Sequence, residues 1–346
     1  MGLLTGDGAF KTGFSTVIKF ILFLGLGLVI IWLSLRNLTV VEQQEIIKSF
    51  RTANYNWVIV AILLGICSHI LRSLRWNLFF DSMGYHPSLK NTFYAVMVGY
   101  FANMAFPRLG EVSRCGVLAK YEKIPFNKGF GSVITERAID MILFFLLFLL
   151  TIFTQIGTID SYLNTNIYPK IYAKIQNPAT LRMILFGCIG VVVLIVAFLL
   201  LFRKRLASSK IGMKIKSIIG GFWEGLKSLA GIRKPFLFVA YSVLIWVFYF
   251  LMLYVCFFCF AETSGLSLGA GLSALVLGSV GIMITPGGIG LYPAIVQETL
   301  RLYGTSMTTG LALGWIAWTA QTAMILVIGG LSLLLLSFNK KPNGTA

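Results

Sequence analysis

The sequence predicts an all-α integral membrane protein with six full transmembrane helices and two opposed re-entrant helical hairpins that form an inverted repeat. Three observations predict it. Of 346 residues, 57% are hydrophobic and 12% charged, with a mean hydropathy of +0.85, whereas about 25% of a soluble domain is charged. Six apolar runs reach the roughly 20 residues that a helix needs to cross the hydrocarbon core. Two shorter apolar runs each stop at a proline with glycine close behind.

In chain order, the run 16–35 carries only Lys19 and lacks a small-residue cleavage site, so it reads as an uncleaved span. The run 57–80 is long enough to cross but holds Arg72 and Arg75. Residues 91–106 run into Pro107-Arg108-Leu109-Gly110, and a helix-compatible stretch resumes over 111–121. Proline removes a backbone donor and glycine frees the chain, so the helix breaks there. The run 129–156 ends purely apolar but begins with Glu136, Arg137 and Asp140. The spans 183–202, 235–260 and 308–338 contain no charge. Between the last two, 268–285 runs into Pro286-Gly287-Gly288-Ile289-Gly290, followed by 291–303. The chain 1–346 thus reads as one polytopic domain. Its first half, 16–156, holds a hairpin at 91–121, and its second half, 183–338, holds one at 268–303.

The net charge of +17 suggests nucleic acid in a soluble protein. Here it follows the membrane pattern instead, because basic residues collect in cytoplasmic loops. Nine Lys or Arg lie within 203–234, and sixteen basic loop residues fall on that face against five on the other. Both termini are therefore expected in the cytoplasm, and the location expected is a bacterial inner membrane. The 203–234 segment alternates apolar and basic residues, which suits an amphipathic helix on an anionic leaflet; a plain topology determinant explains it equally well.

With that orientation, the span at 57, the first hairpin and the span at 129 have topology opposite to the span at 235, the second hairpin and the span at 308. Interrupted helices at matching positions of two inverted halves point to a transport site near the midplane. The first triplet also concentrates charge: Arg72, Arg75, Arg108, Glu111, Arg114, Glu136, Arg137 and Asp140. At about 2.5–3.5 kcal/mol each on insertion scales, eight unpaired charges would cost on the order of 20–28 kcal/mol. They must face one another or water. Five guanidinium groups against three carboxylates leave a surplus of +2, which a phosphate would neutralise through the planar arginine fork. A structural ion network that locks the helices is the alternative.

Other signals carry no chemistry. Cys256 and Cys259 lie in an uncharged span without a second pair, and His69 and His86 are too few for a metal site. Protease, hydrolase and P-loop motifs are absent, so neither cofactor nor metal is expected.

The run Pro107-Arg108-Leu109-Gly110-Glu111-Val112-Ser113-Arg114, with Glu136-Arg137-Ala138-Ile139-Asp140, resembles the P-x-R-x-G-E-x-x-R and E-R-x-x-D patterns of the lysylphosphatidylglycerol synthase transmembrane, or flippase-like, family. Leu71-Arg72-Ser73-Leu74-Arg75-Trp76 and Pro286-Gly287-Gly288-Ile289-Gly290 fit as well, and the resemblance covers about 19–336. It implies a flippase-like membrane protein, since the membrane part of the multiple peptide resistance factor in that family moves aminoacylated phosphatidylglycerol between leaflets; the charge surplus of the cluster points to an anionic phospholipid or a polyprenyl-phosphate type lipid as the ligand. Because the sequence ends at Ala346, soon after the last span, no aminoacyltransferase domain and no synthase activity are expected. Many relatives carry an acid shortly after the glycine turn, where this chain has Tyr292-Pro293, so a lipid specificity resting on that acid does not carry over.

Arg72, Arg75, Arg108, Arg114 and Arg137 are the candidate phosphate ligands, with Glu111, Glu136 and Asp140 as supporting carboxylates. Pro107, Gly110, Pro286, Gly287, Gly288 and Gly290 form the helix breaks. Two rival readings stand beside this one. The first is a membrane-embedded transferase on a lipid phosphate, with Glu111 or Asp140 as base; the second is a non-catalytic partner of a separately encoded synthase or glycosyltransferase. A homo-oligomer is compatible with each.

Overall fold

The computed structural model describes residues 39–105, 108–162 and 231–338. The expected spans 16–35 and 183–202 and nearly all of the basic segment 203–234 lie outside the described residues. The described part is helical: α1 Val40–Thr52, α2 Asn56–Ser82, α3 Leu89–Ala105, α4 Leu109–Tyr121, α5 Phe126–Tyr162, α6 Pro235–Tyr254, α7 Leu268–Ile284, α8 Leu291–Arg301 and α9 Met307–Phe338. Within these residues, four helices are long and apolar enough to cross a membrane: Asn56–Ser82, Phe126–Thr158, Pro235–Cys259 and Met307–Phe338. They match four of the six expected spans.

Helix α1 is absent from the sequence reading, although its start signal is present. Thr39 and Glu42 form a capping box: the Thr39 hydroxyl accepts from the Glu42 N–H, and the Glu42 carboxylate accepts from the Thr39 N–H at 2.7 Å. Its Ile46 and Phe50 pack against Leu311 and Trp315 at the beginning of α9. The apolar run at 235–260 also changes character late, where a 3₁₀ turn over Val255–Cys259 follows α6. Cys256 and Cys259 are buried there in the apolar core, without a disulfide.

α3 and α4 pair as an antiparallel hairpin. Near its base Ser88 and Asn91 donate to Glu122, and near its tip the Gly110 N–H donates to Asn103 at 2.7 Å. Gly99 and Gly110 bring the two backbones together: a Cβ at Gly110 would overlap the Gly99 carbonyl and the Asn103 side chain. α7 and α8 form the counterpart. Ser273 meets Tyr303 at 2.7 Å near the base, and Gly278 and Gly281 lie against Tyr292 near the tip. Small residues at these crossings permit the close approach that apolar surroundings do not otherwise drive.

The two hairpins enter the bundle from opposite ends. The first begins beside Ile124, Phe238 and Trp76. The second begins beside the loop after α6, near Gln155 of α5. Their tips meet in the interior, where Gly287 lies against the Met104 side chain. Helix α9 passes both, with Gly314 on Pro293 and Gly329 on Met97 and Phe101, while α2 and α6 run antiparallel through the pairs Gly65–Met252 and Phe79–Phe238.

Candidate functional site

The eight charges of the first triplet separate into two groups. On α2, positions 69, 72, 73 and 76 share one face by helical spacing, which carries His69, Arg72 and Trp76 into the bundle. Arg75 turns inward beside them. On α5, Glu136 and Asp140 are four residues apart and face that stripe. Arg72 Nη1 donates to Glu136 Oε1 and to Asp140 Oδ2, the latter at 2.9 Å; Arg75 donates to Glu136 at 2.9 Å and to Asp140 at 2.7 Å. Arg114 from α4 reaches the other Glu136 oxygen at 2.8 Å and lies 4.6 Å from the centre of the Trp76 ring. Trp76 in turn donates to Ser132 at 2.8 Å.

Glu136 therefore sits among three guanidinium groups with its side chain 1% exposed. Three arginines and two carboxylates form a buried knot that joins the first hairpin to α2 and α5. Charges taken out of water this completely are tolerated only when paired with good geometry. Around the knot, Tyr249 accepts from Arg72 at 3.3 Å, Ser242 from Arg75 at 3.2 Å, and the His69 ring lies tilted against Tyr100 with centroids 4.7 Å apart.

Arg108, Arg137 and Glu111 form the second group and line a cavity of about 510 Å³ between the hairpin tips. Asn103 and Met104 contribute from the first hairpin, Thr285 and Gly287 from the second, and Trp318 and Gln321 from α9. Trp318 fixes the second tip by donating to the Gly287 carbonyl at 2.7 Å. Arg137 is paired with Glu111 at 3.1 Å and keeps 44% of its side chain exposed; the other Glu111 oxygen is buried and has no hydrogen-bond partner among the described residues. Arg108 caps α4 in the left-handed conformation, with φ at 70°, and is in no ion pair among the described residues. Such a conformation costs about 1–3 kcal/mol outside glycine.

The sequence groups all five arginines as phosphate ligands, and the fold divides them. Arg75 and Arg114 are held by carboxylates inside the protein and do not line the cavity. Arg108 and Arg137 do line it, and Arg72 opens onto a neighbouring chamber. Arg108, Glu111 and Arg114 are three residues apart, yet only Arg108 and Glu111 line the cavity, while Arg114 turns to Glu136 in the buried knot. Of the helix breaks, Gly287, Gly288 and Gly290 take positive φ, and Gly110 serves close packing instead. Pro107 lies outside the described residues, and Pro286 opens the 3₁₀ turn Pro286–Gly288. Tyr100, Tyr249, Trp318 and Gln321 also line these cavities and carry no mark in the sequence, because uncharged residues inside apolar runs give no signal.

Residues 17–330 match the model of the lysylphosphatidylglycerol synthase transmembrane region. The chain belongs to that family. A UPF0104 membrane protein of Methanocaldococcus jannaschii is 36% identical over 118 residues, which cover 33% of this chain and 35% of the relative. Another UPF0104 membrane protein, from Methanothermobacter thermautotrophicus, is 23% identical over 78% of this chain and 82% of its own length. Glycosyltransferase AglD of Haloferax volcanii is 28% identical over 119 residues, or 34% of this chain and 19% of that protein. The chain thus spans about a third and a fifth of two of these relatives. No solved structure matches it. As a family member with apolar helices of spanning length, this is a multi-pass membrane protein. The relatives are archaeal, so they do not carry the bacterial inner membrane expected from the sequence.

Proposed function

We propose that this protein binds the phosphate of an anionic phospholipid or lipid-linked phosphate and moves it between leaflets, with both hairpins re-entrant in the bilayer and both termini cytoplasmic. The observation that carries the reading is the cavity at the hairpin tips. It lies between two opposed halves, and two arginines face it with one carboxylate, a local surplus of +1 that an anionic headgroup neutralises. Interrupted helices and a bundle-lining cation at membrane depth mark a substrate path. The buried knot holds the first hairpin in place, and Glu111 keeps Arg137 oriented when the cavity holds no anion. The reading is of a transporter rather than an enzyme, without nucleotide, metal or cofactor.

Reconstitution into liposomes with fluorescent phosphatidylglycerol tests it. The wild type is expected to exchange the lipid between leaflets faster than empty liposomes, and Arg137→Ala to slow that exchange at least tenfold. If no anionic lipid exchanges faster than in protein-free liposomes, the reading fails.

The similarity to glycosyltransferase AglD favours one alternative: a membrane unit working with glycosyl transfer onto a lipid phosphate. Co-purification with a second, glycosyltransferase chain, without exchange activity of the chain alone, would support that alternative.

A further inference from the structure

The cavity at the hairpin tips does not end at Arg137. Tyr100, Arg137, Ile282, Met283 and Gln321 also line a second chamber of about 250 Å³, to which Arg72, Asp140, Tyr249 and Trp246 add. This chamber shares Trp246 and Leu275 with a groove of about 480 Å³ between α5, α6 and α7. The groove walls are Leu143, Leu147, Leu150, Val243, Val247 and Phe250, among others. Its two polar side chains, Thr154 and Gln155, are already engaged: Thr154 donates to the Leu150 carbonyl at 2.8 Å, and Gln155 accepts from Tyr303 at 3.0 Å. Along this path the walls pass from charged, through aromatic and mixed, to hydrocarbon.

Trp246 stands at the junction. Its indole Nε1 is buried without an acceptor among the described residues, while its ring borders both the chamber and the groove. A residue with an apolar body and one polar tip fits the point where a polar linkage joins an apolar chain.

We infer that the α5–α6–α7 groove holds the hydrocarbon chain of the same lipid whose phosphate sits at Arg108 and Arg137, an inference that rests on the function proposed above. The protein thereby holds head and chain together, and the chain does not trail in the bilayer. The groove runs toward Leu268, Gly269 and Gln155, the end at which the second hairpin enters. A headgroup near the bundle centre with its chain toward that end has the polarity of a lipid from the opposite leaflet, the one at the base of the first hairpin. A lipid bound this way is therefore taken up from that leaflet.

The test uses the full chain in liposomes with phosphatidylglycerol that carries a diazirine at the end of its acyl chain, with photolabelled peptides mapped by mass spectrometry. Labelling is expected at Leu146, Leu150 and Leu272, reduced at least fivefold by Leu147→Trp and by Arg137→Ala. Leu272→Phe serves as a second groove-filling variant should Leu147→Trp fail to fold. Phosphatidylcholine with the same chain is expected to label these positions at least fivefold less.

Equal labelling by both lipids, unchanged in Arg137→Ala, would mean bulk lipid in the groove and overturn the inference. So would rapid disulfide formation between Leu147→Cys and Leu194→Cys, which would make residues 183–202 the occupant. Arg137-dependent exchange without groove labelling sinks the chain site and leaves the proposed function standing. Exchange no faster than in protein-free liposomes sinks the function itself.

Discussion

Glu136 and Arg137 are neighbours in sequence with opposite duties. Glu136 accepts from Arg72, Arg75 and Arg114 inside the protein, so Glu136→Gln leaves three buried guanidinium groups with Asp140 alone. Breaking a buried ion pair from one side costs about 3–5 kcal/mol. Thermal unfolding of the purified protein is expected to show a large drop in Tm or no folded material. Arg137, nearly half-exposed, is expected to tolerate Arg137→Ala with little change in Tm. Similar Tm losses in both variants would contradict this division.

Arg108 gives a prediction of mixed sign. Glycine adopts the left-handed conformation without the steric penalty of a Cβ, so Arg108→Gly is expected to raise stability by about 1 kcal/mol, the lower end of the strain at such a site. The same change removes a cavity cation, so lipid exchange is expected to fall. Improved or unchanged exchange would show that the strained arginine has no part in binding.

At the scale of elements, each hairpin requires close backbone contact at its glycines. Gly110→Ala forces a methyl into the Gly99 carbonyl and Asn103, an overpacking that costs about 1–3 kcal/mol or more. Gly116 lies on the same helix with nothing within 4 Å of an added Cβ, and Gly116→Ala is expected to stabilise α4 by up to about 1 kcal/mol, the difference in helix propensity. Comparative unfolding of the two variants checks this pair. The glycines themselves were legible as breaks, but their separate roles were not. Gly287 and Gly288 supply turn conformations with positive φ, whereas Gly110 supplies space, and spacing in the sequence does not distinguish the two.

For the whole molecule, opposed entry of the hairpins places their bases at opposite ends of the bundle. Lys123→Cys lies at the base of the first hairpin and Ser264→Cys in the loop before the second. A membrane-impermeant maleimide is expected to label them from opposite sides of sealed vesicles, above the background of the unsubstituted protein. Labelling of both from one side would remove the inverted repeat and, with it, the reading of a central transport site.

Composition and run length determined the helical membrane class, because crossing hydrocarbon demands about 20 apolar residues and little else satisfies the backbone there. Proline and glycine marked both hairpin breaks, since their effect on the backbone is local. The sequence also identified the eight charges that need partners, because an unpaired charge at membrane depth is costly wherever it sits in the chain. What it did not determine is which charges satisfy one another. Arg75 and Arg114 are 39 positions apart and belong to different helices, yet Glu136 binds both, while Arg108 is left to the cavity by one backbone angle. Pairing depends on distances set by the packing of α2, α4 and α5, and only the tertiary structure fixes those. The cavity, the chamber and the apolar groove arise in the same way, from residues of several helices that only packing brings together.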